Sequence, residues 1–379
     1  MQKGATTTNN YTTVYIGMDV HKDSFTLCAF TIDMEKPSHI VKVPNDYKQI
    51  LKYLERMRVI FGNDADFICG YEAGCLGYSL YNDLTKANIN CIILAPSTML
   101  RENGKRIKTD SRDAALIAKC LAYHTYKSVY VPTKEMEEAK EYIRMRSCHK
   151  RHLKRIKQQI LAFCLREGLQ YSKGSNWTIG HLEWLRTMKL PTLLREILDE
   201  YMITFNFLTN KIEQLDRRIM EIAKTDYFET NVRKLVCFKG IQFYTAMAII
   251  TEIGDFSRFQ TADKFAAFLG LVPGEASSGE SIKHLGITKA GNSHLRTLII
   301  EAAHCYGRNT SSYRTKAYKK HREGADSRIL AYADQANERL HKRFRHLLYK
   351  NKKRSVVVTA IARELSCFIW GAMSECYNN

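Results

Sequence analysis

Nothing in these 379 residues is built to cross a membrane. A spanning helix needs about 18–20 consecutive apolar residues, and the longest apolar stretches, Ile241–Ile253 and Ser355–Ile361, are too short or interrupted. The first residues, MQKGATTTNNYTT, are polar and lack the apolar core of a secretory signal. Paired cysteines are missing as well. The 11 cysteines are odd in number and irregular in spacing, and no Cys-x-x-Cys pair exists to hold zinc. Cys28, Cys69, Cys91, Cys164 and Cys237 sit among apolar neighbours, where a free thiol behaves as a small buried hydrophobe. The 12 histidines are scattered, and none is assigned to a metal. These absences exclude a disulfide scaffold and a zinc module, and the expectation is a cytoplasmic protein in a reducing compartment.

Acidic residues are also in short supply. There are 39 Asp and Glu against 58 Lys and Arg, a formal charge of +19. Such an excess points to a polyanionic partner, because neutralising phosphates releases condensed counterions. The imbalance is local: residues 1–125 hold 15 basic against 13 acidic residues, and the remainder holds 43 against 26. The first third therefore reads as a body with acidic chemistry and the rest as a nucleic-acid grip.

Alternation and turn chemistry predict strands at Val14–Val20, Phe25–Thr31 and His39–Val43, then a helix over Tyr47–Phe61 with Ile50, Leu51, Leu54, Met57 and Ile60 on its apolar face. Phe67–Tyr71 is an apolar strand running into Glu72, Gly77–Ala87 a helix, and Cys91–Ala95 a buried strand closed by Pro96. A basic loop, RENGKRIK, leads into a helix from about Ser111 to Tyr123. Three antiparallel strands followed by βα units is a ribonuclease-H-like, or RuvC-like, α/β pattern, assigned to residues 1–127.

Residues 128–228 read as a basic helical and coiled-coil middle. Lys134 to about Glu167 holds no Pro or Gly and carries Leu153, Ile156, Ile160 and Phe163 on one stripe. Its other faces are crowded with Arg144, Arg146, Lys150, Arg151, Lys154, Arg155 and Lys157. Pro191 opens a second long helix. In it Tyr201, Phe205, Leu208, Ile212, Leu215, Ile219 and Ile222 alternate steps of four and three, a coiled-coil seam. The seam suits a hairpin against the first long helix, subunit pairing, or both.

Residues 229–379 read as a mostly helical C-terminal domain. Val232–Cys237 and Tyr244–Ile253 are short helices around the turn Lys239-Gly240-Ile241, whose backbone N–H groups suit a phosphate. Thr261–Leu269 is amphipathic, LVPGEASSGESIKHLGITKAGNSHLR reads as loop and hairpin ending in a helix from Ser293, and the tail RLHKRFRHLLYKNKKR is densely basic.

Four carboxylates stand out by placement. Asp19 sits near the end of the first strand, Glu72 at the end of the fourth, and Asp110 and Asp113 lie three apart at a helix start, on one side of it. Gathered in one place they would repel one another without a cation, and hard divalent ions such as Mg²⁺ prefer carboxylate oxygens. Each has a bland alternative as well: Asp19 as a turn residue, Asp110 or Ser111 as a helix cap, Glu72 as a surface residue.

The stretches YIGMDVHK, GYEAG and KTDSRDAALIA resemble the three carboxylate motifs of the D-E-D-D insertion-sequence transposases, relatives of the pilin-gene invertases and understood as bridge-RNA-guided serine recombinases. KFAAFLGLVPGEASSGES and GITKAGNSHLR resemble that family's C-terminal transposase block. The resemblance implies that Asp19, Glu72, Asp110 and Asp113 hold a divalent metal, two Mg²⁺ ions with Mn²⁺ as the alternative. It implies that Ser278, with Ser277 as the neighbouring choice, attacks a DNA phosphate to make a 5′-phosphoserine link, in an active site joining two domains. It further implies donor and target DNA as substrates, a structured guide RNA as partner, and homodimers paired through the coiled coil into a dimer of dimers. Arg151, Lys154, Arg155, Lys283, Lys289 and Arg296 are the expected phosphate contacts, and Asn292 the cap of the following helix. Two other readings stand beside this one: a RuvC-like junction nuclease without serine chemistry, and a non-catalytic nucleic-acid-binding protein. Against the second, none of the four acidic positions is substituted.

Overall fold

The computed structural model describes residues 13–74, 76–99, 109–278, 281–308 and 315–376, with backbone alone at 97, 276–278 and 281–284. The basic loop at 101–108 lies outside the described residues. The chain divides into two units, one running through Val131 and the other beginning at Pro132.

The first unit is a five-stranded sheet with helices on both faces. Its strands are β1 (Thr13–Val20), β2 (Ser24–Phe30), β3 (Ser38–Pro44), β4 (Asp66–Glu72) and β5 (Asn90–Leu94), in the order β3-β2-β1-β4-β5. The first three strands are antiparallel, whereas β4 runs parallel to β1 and β5 parallel to β4. This is the ribonuclease-H-like order that the strand and helix succession predicts. Alternation decides which side chains face where. Val14, Ile16 and Met18 join Cys69, Tyr71 and Ile93 in a core with residues of α1 (Tyr47–Phe61) and α2 (Ser79–Lys86). Tyr15, Phe30 and Leu94 join Ile117, Ala118 and Leu121 of α3 (Asp110–Ala122) on the opposite face.

The seat of α3 is a pair of glycines. Gly17 and Gly70 are register partners on β1 and β4. A Cβ on Gly17 would lie 2.0 Å from the Ala114 carbonyl oxygen and 2.4 Å from the Ala118 nitrogen, and one on Gly70 would meet Leu121 and Leu94 at 2.9 Å. At Gly17 no side chain fits between helix backbone and sheet, so α3 lies directly on β1, while at Gly70 the space is filled by the Leu121 and Leu94 side chains.

The second unit is helical apart from one hairpin. Its elements in chain order are α4 (Lys134–Arg166), α5 (Ile179–Thr187), α6 (Thr192–Ile222), α7 (Asp226–Val236), α8 (Phe243–Ile253), α9 (Ala262–Phe268), β6 (Pro273–Ser278), β7 (Ser281–Ile287), α10 (Ser293–Ala303), α11 (Lys316–Arg322), α12 (Ser327–Tyr349) and α13 (Arg354–Met373). The division expected at residue 228 falls inside this unit, because Met136, Ala139 and Ile143 of α4 share one core with α7, α8, α10, α12 and α13. Pro191 stands just before α6, as its N-cap.

The seam of α6 is buried within the chain. Arg146 meets Asp216, Lys157 lies over Phe205 and Phe163 packs on Tyr201, so α4 and α6 run antiparallel as a hairpin. Phe205, Leu208, Ile212, Leu215 and Ile219 are thereby covered. Between the sequence's two uses for that seam, the hairpin is the one these contacts realise.

The expectation that no segment reaches spanning length is corrected at α13. This helix has 20 residues and a mean hydropathy of 1.5, enough by length and composition to cross a membrane. Its Val357, Ile361, Leu365 and Ile369 are fully buried against the other helices of the unit, which explains the apolar composition as that of a core helix. The basic tail of the sequence forms the end of α12 and the turn into α13.

A buried carboxylate ties α4, α8 and α10 together. Glu252, on the last turn of α8, has a side chain 1% exposed. Arg144 donates to both its oxygens at 2.8 and 3.1 Å, Asn292 donates at 3.0 Å, and Lys140 lies at 3.6 Å. Burial alone would raise the Glu252 pKa, but His294, Arg144 and Lys140 outweigh it and hold the group well below its ordinary value near 4.5.

Two stability predictions follow from these contacts. Gly17→Ala should destabilise the chain by about 3 kcal/mol, since backbone rather than a flexible side chain blocks the new methyl; a urea-melt loss under about 1 kcal/mol would contradict the seat described. Glu252→Gln should cost about 3 kcal/mol at neutral pH by leaving buried cations uncompensated. Because the folded pKa is depressed, that stabilisation is full above the unfolded value and is lost as pH falls toward the folded one, so the gap between variant and parent should begin to narrow below about pH 4.5 and go on narrowing through pH 3. A gap constant from pH 7 to 3 would refute it.

Candidate active site

Asp19 and Glu72 follow directly on the last register pair of the parallel strands, Met18 and Tyr71, and so end β1 and β4 side by side. Each lies two residues beyond a glycine of the α3 seat and projects to the α3 face. The helix that rests on those glycines begins with Asp110 and carries Asp113 one turn in, both in its first turn. Thr109 is the N-cap and its side chain makes no capping bond, so the acidic residues themselves stand at the positive end of the helix.

Two residues that the sequence reading missed complete the cluster. His21, in the turn after β1, places Nε2 3.0 Å from an Asp19 oxygen and 3.8 Å from one of Asp110. The ligand atoms of Asp19, His21 and Asp110 all fall within 4.8 Å of one another. The sequence reading assigns no histidine to a metal; the structure sets His21 within reach of a cation that Asp19 and Asp110 could hold, and the available signal is the Asp-Val-His spacing near the end of an apolar strand. Lys42 of β3 donates to Asp110 at 2.9 Å. It shares a cross-strand row with Thr26 and Asp19, which no single-sequence pattern discloses.

The electrostatics are those of a site short of positive charge. Burial raises the pKa of Asp19, Asp113 and Asp110 add to the rise, and His21 opposes it. Lys42 lowers that of Asp110 by hydrogen bond and charge. Between Asp19 and Lys42 the buried Thr26 hydroxyl has no hydrogen-bond partner. Clustered carboxylate oxygens, one disfavoured as an anion, beside an orphaned hydroxyl are a donor set that fits a hard divalent cation. Lys42 supplies positive charge at Asp110 in this structure, and His21 shares a hydrogen bond with Asp19.

Ser277 and Ser278 lie at the end of β6, where Ser277 pairs with Ile282 and Ser278 with Ser281. Their side chains, and that of Lys283, lie outside the described residues. The hairpin's exit is firmly held. Gly291, at φ +72°, passes so close to Phe268 that a Cβ would sit 1.9 Å from its carbonyl oxygen. Asn292 caps α10 by accepting from Leu295, as expected. Arg296 donates through Nη1 to the carbonyls of Leu269 and Ala290 at 2.9 Å each, so it clamps this exit. Lys289 is exposed, as are Arg151, Lys154 and Arg155 on α4. The buried cysteines match expectation: Cys28, Cys69, Cys91, Cys164 and Cys237 are free and buried, and burial pushes the Cys28 and Cys91 thiols up to about 12.

The crowding at Asp19 makes a prediction of sign. Asp19→Asn removes a charge that burial and two neighbouring carboxylates disfavour, so in EDTA it should raise stability by about 1 kcal/mol. A thermal melt showing the variant less stable than the parent would refute the crowding.

Comparison with known sequences agrees with this geometry. A DEDD-type transposase profile of the IS110 group matches residues 16–167, and a second profile, described as transposase IS116/IS110/IS902 family, matches residues 232–320. A putative transposase, y4qE, of Sinorhizobium fredii is 34% identical over 305 residues, covering 80% of this chain and 75% of its own. The transposase for insertion sequence element IS1533 of Leptospira borgpetersenii is 29% identical over 344 residues, covering 90% of this chain and 98% of its own. Carboxylates meeting at the strand ends of the first unit, together with likeness across both units, place this chain: it belongs to the IS116/IS110/IS902 family of transposases.

Proposed function

We propose that the chain cuts and rejoins DNA at a centre where Asp19, Glu72, Asp110 and Asp113 hold divalent metal, and that the Ser278 hydroxyl is the nucleophile. The single observation that carries the metal reading is the convergence of Asp19, His21 and Asp110 within 4.8 Å. Mg²⁺, as two ions, is the metal assigned, with Mn²⁺ an acceptable substitute; when bound it would stabilise charge on the attacking and leaving oxygens. In the proposed step the Ser278 oxygen bonds to a DNA phosphorus as the bond to the 3′ oxygen breaks, and the serine proton ends on that departing oxygen. The 5′-phosphoserine link keeps the phosphodiester's energy for resealing. Ser277 is the neighbouring choice, since both end the same strand.

The remaining assignments belong to the same reading. Donor and target DNA are the substrates, and a structured RNA selects them by base pairing, leaving the protein to read backbone and shape. Arg151, Lys154, Arg155, Lys283 and Lys289 are the proposed phosphate contacts. Subunits pair through the long helices into dimers and dimers of dimers. Since the inner seam of α6 is covered, pairing falls to its outer face, where Leu193, Ile203 and Phe207 are 68%, 60% and 63% exposed.

A denaturing gel of the halted reaction tests the chemistry. DNA should remain attached to the protein, the adduct should fall on the order of 10³-fold in Ser278→Ala with DNA binding retained, and Asp19→Asn should lose cleavage to a similar degree. An adduct lost only in Ser277→Ala would move the nucleophile by one residue. Cleaved DNA with no protein attached would replace the serine step with metal-dependent hydrolysis, the junction-nuclease reading.

A further inference from the structure

One stripe of α4 is left over after the hairpin with α6 is made. Lys140, Arg144, Ser147, Arg151 and Lys154 succeed one another at steps of four, three, four and three, which sets them on a single face. The first two cations are engaged by Glu252. Beyond them the stripe borders an open cleft of about 980 Å³, lined by Ser147, Lys150, Arg151, Tyr244, His294 and Thr297 among others. Lys150 and Arg151 are exposed. Among the described residues, no carboxylate pairs with either.

The floor of the cleft is polar and held in place. Ser147 Oγ lies 2.5 Å from the Tyr244 hydroxyl and 2.8 Å from Nε2 of His294, while Nδ1 of the same ring faces Glu252 at 3.6 Å. With the ring proton on Nδ1, toward the carboxylate, Nε2 accepts from Ser147 and Ser147 accepts from Tyr244. Arg146 stacks on the Tyr244 ring at 4.1 Å while paired to Asp216, which fixes that wall. The cleft thus offers two unpaired cations at its rim and, on its floor, a hydroxyl with a rotatable proton.

We propose that this cleft docks a nucleic-acid phosphodiester backbone, with Lys150 and Arg151 pairing the phosphates and Ser147 turning its hydroxyl from His294 to a phosphate oxygen. The inference rests on the reading of the chain as a nucleic-acid enzyme but needs neither the metal centre nor the hairpin serine. A backbone rather than a lone anion is favoured because the cations recur along the helix: Lys154 continues the stripe one turn, about 5.4 Å, beyond the cleft. The chain's +19 charge and its concentration after residue 125 point the same way.

Fluorescence anisotropy on the full chain in EDTA tests this, with a labelled 20-base-pair DNA duplex in one arm and an RNA hairpin of similar length in the other. Lys150→Gln/Arg151→Gln should weaken binding at least tenfold in one arm or both and lower the salt slope by roughly two. The arm affected identifies the nucleic acid. Ser147→Ala should weaken the same arm by about tenfold with the salt slope unchanged. Lys52→Gln/Arg56→Gln, on the exposed side of α1, removes equal charge and should leave binding within about twofold. The proposal fails if the cleft double variant binds no worse than that control, or if Ser147→Ala binds like the parent. Because EDTA silences the metal centre, a failed adduct assay would leave this result standing.

Discussion

The first unit depends on one steric constraint: the absence of side chains at Gly17 and Gly70, where α3 lies on the sheet. That close approach fixes both the depth and the axial position of the helix. Its first turn then falls near the end of β1, where Asp19, His21 and Asp110 bring ligand atoms within 4.8 Å of one another and Asp113 acts on Asp19, while Glu72 stands on β4 just past the Met18–Tyr71 register pair. At Asp19 the arrangement is unfavourable on its own, since burial disfavours the anion and Asp113 and Asp110 add to that. Packing of Ile117, Ala118 and Leu121 against the sheet offsets that cost, each large buried side chain contributing about 1.5–3 kcal/mol. The site is held together by apolar contacts one turn away from the charges.

The two units treat a carboxylate in opposite ways. Asp19 is half-buried beside His21, Asp113 and Asp110 and its anion is disfavoured, whereas Glu252 is buried among His294, Arg144 and Lys140 and its anion is favoured. The second arrangement binds three helices and reaches, through Asn292, the chain leaving the β6–β7 hairpin. At Glu252 the neighbouring cations outweigh burial, whereas at Asp19 His21 opposes the rise without cancelling it.

Much of this was legible from the sequence because it is periodic. The five strands, α1 and α4 follow from alternation or from a 3.6-residue repeat, and the four acidic positions from motif placement at strand and helix ends. His21 lay in plain view two residues beyond Asp19 but was passed over, because a lone histidine in a turn has no period. Lys42 required the β2–β3 register, which depends on pairing rather than local pattern. Helix α13 was missed because Arg363 and Glu364 interrupt its apolar run, yet a buried helix tolerates such residues on its outer side. The apolar spacing of α6 corresponds to a buried face; that α4 covers it follows from tertiary packing, which heptad spacing alone does not specify. The bonds from Arg296 to two carbonyls depend on acceptors that folding brings near, which local pattern does not disclose.

The central claim is that α3, seated on two glycines, brings acidic side chains together as a cation site. Calorimetric titration of Mn²⁺ into the full chain measures this directly. Saturable binding that is lost in both Asp110→Asn and Asp113→Asn is the result predicted. Binding that survives both substitutions unchanged, or no binding to the parent chain, would contradict it.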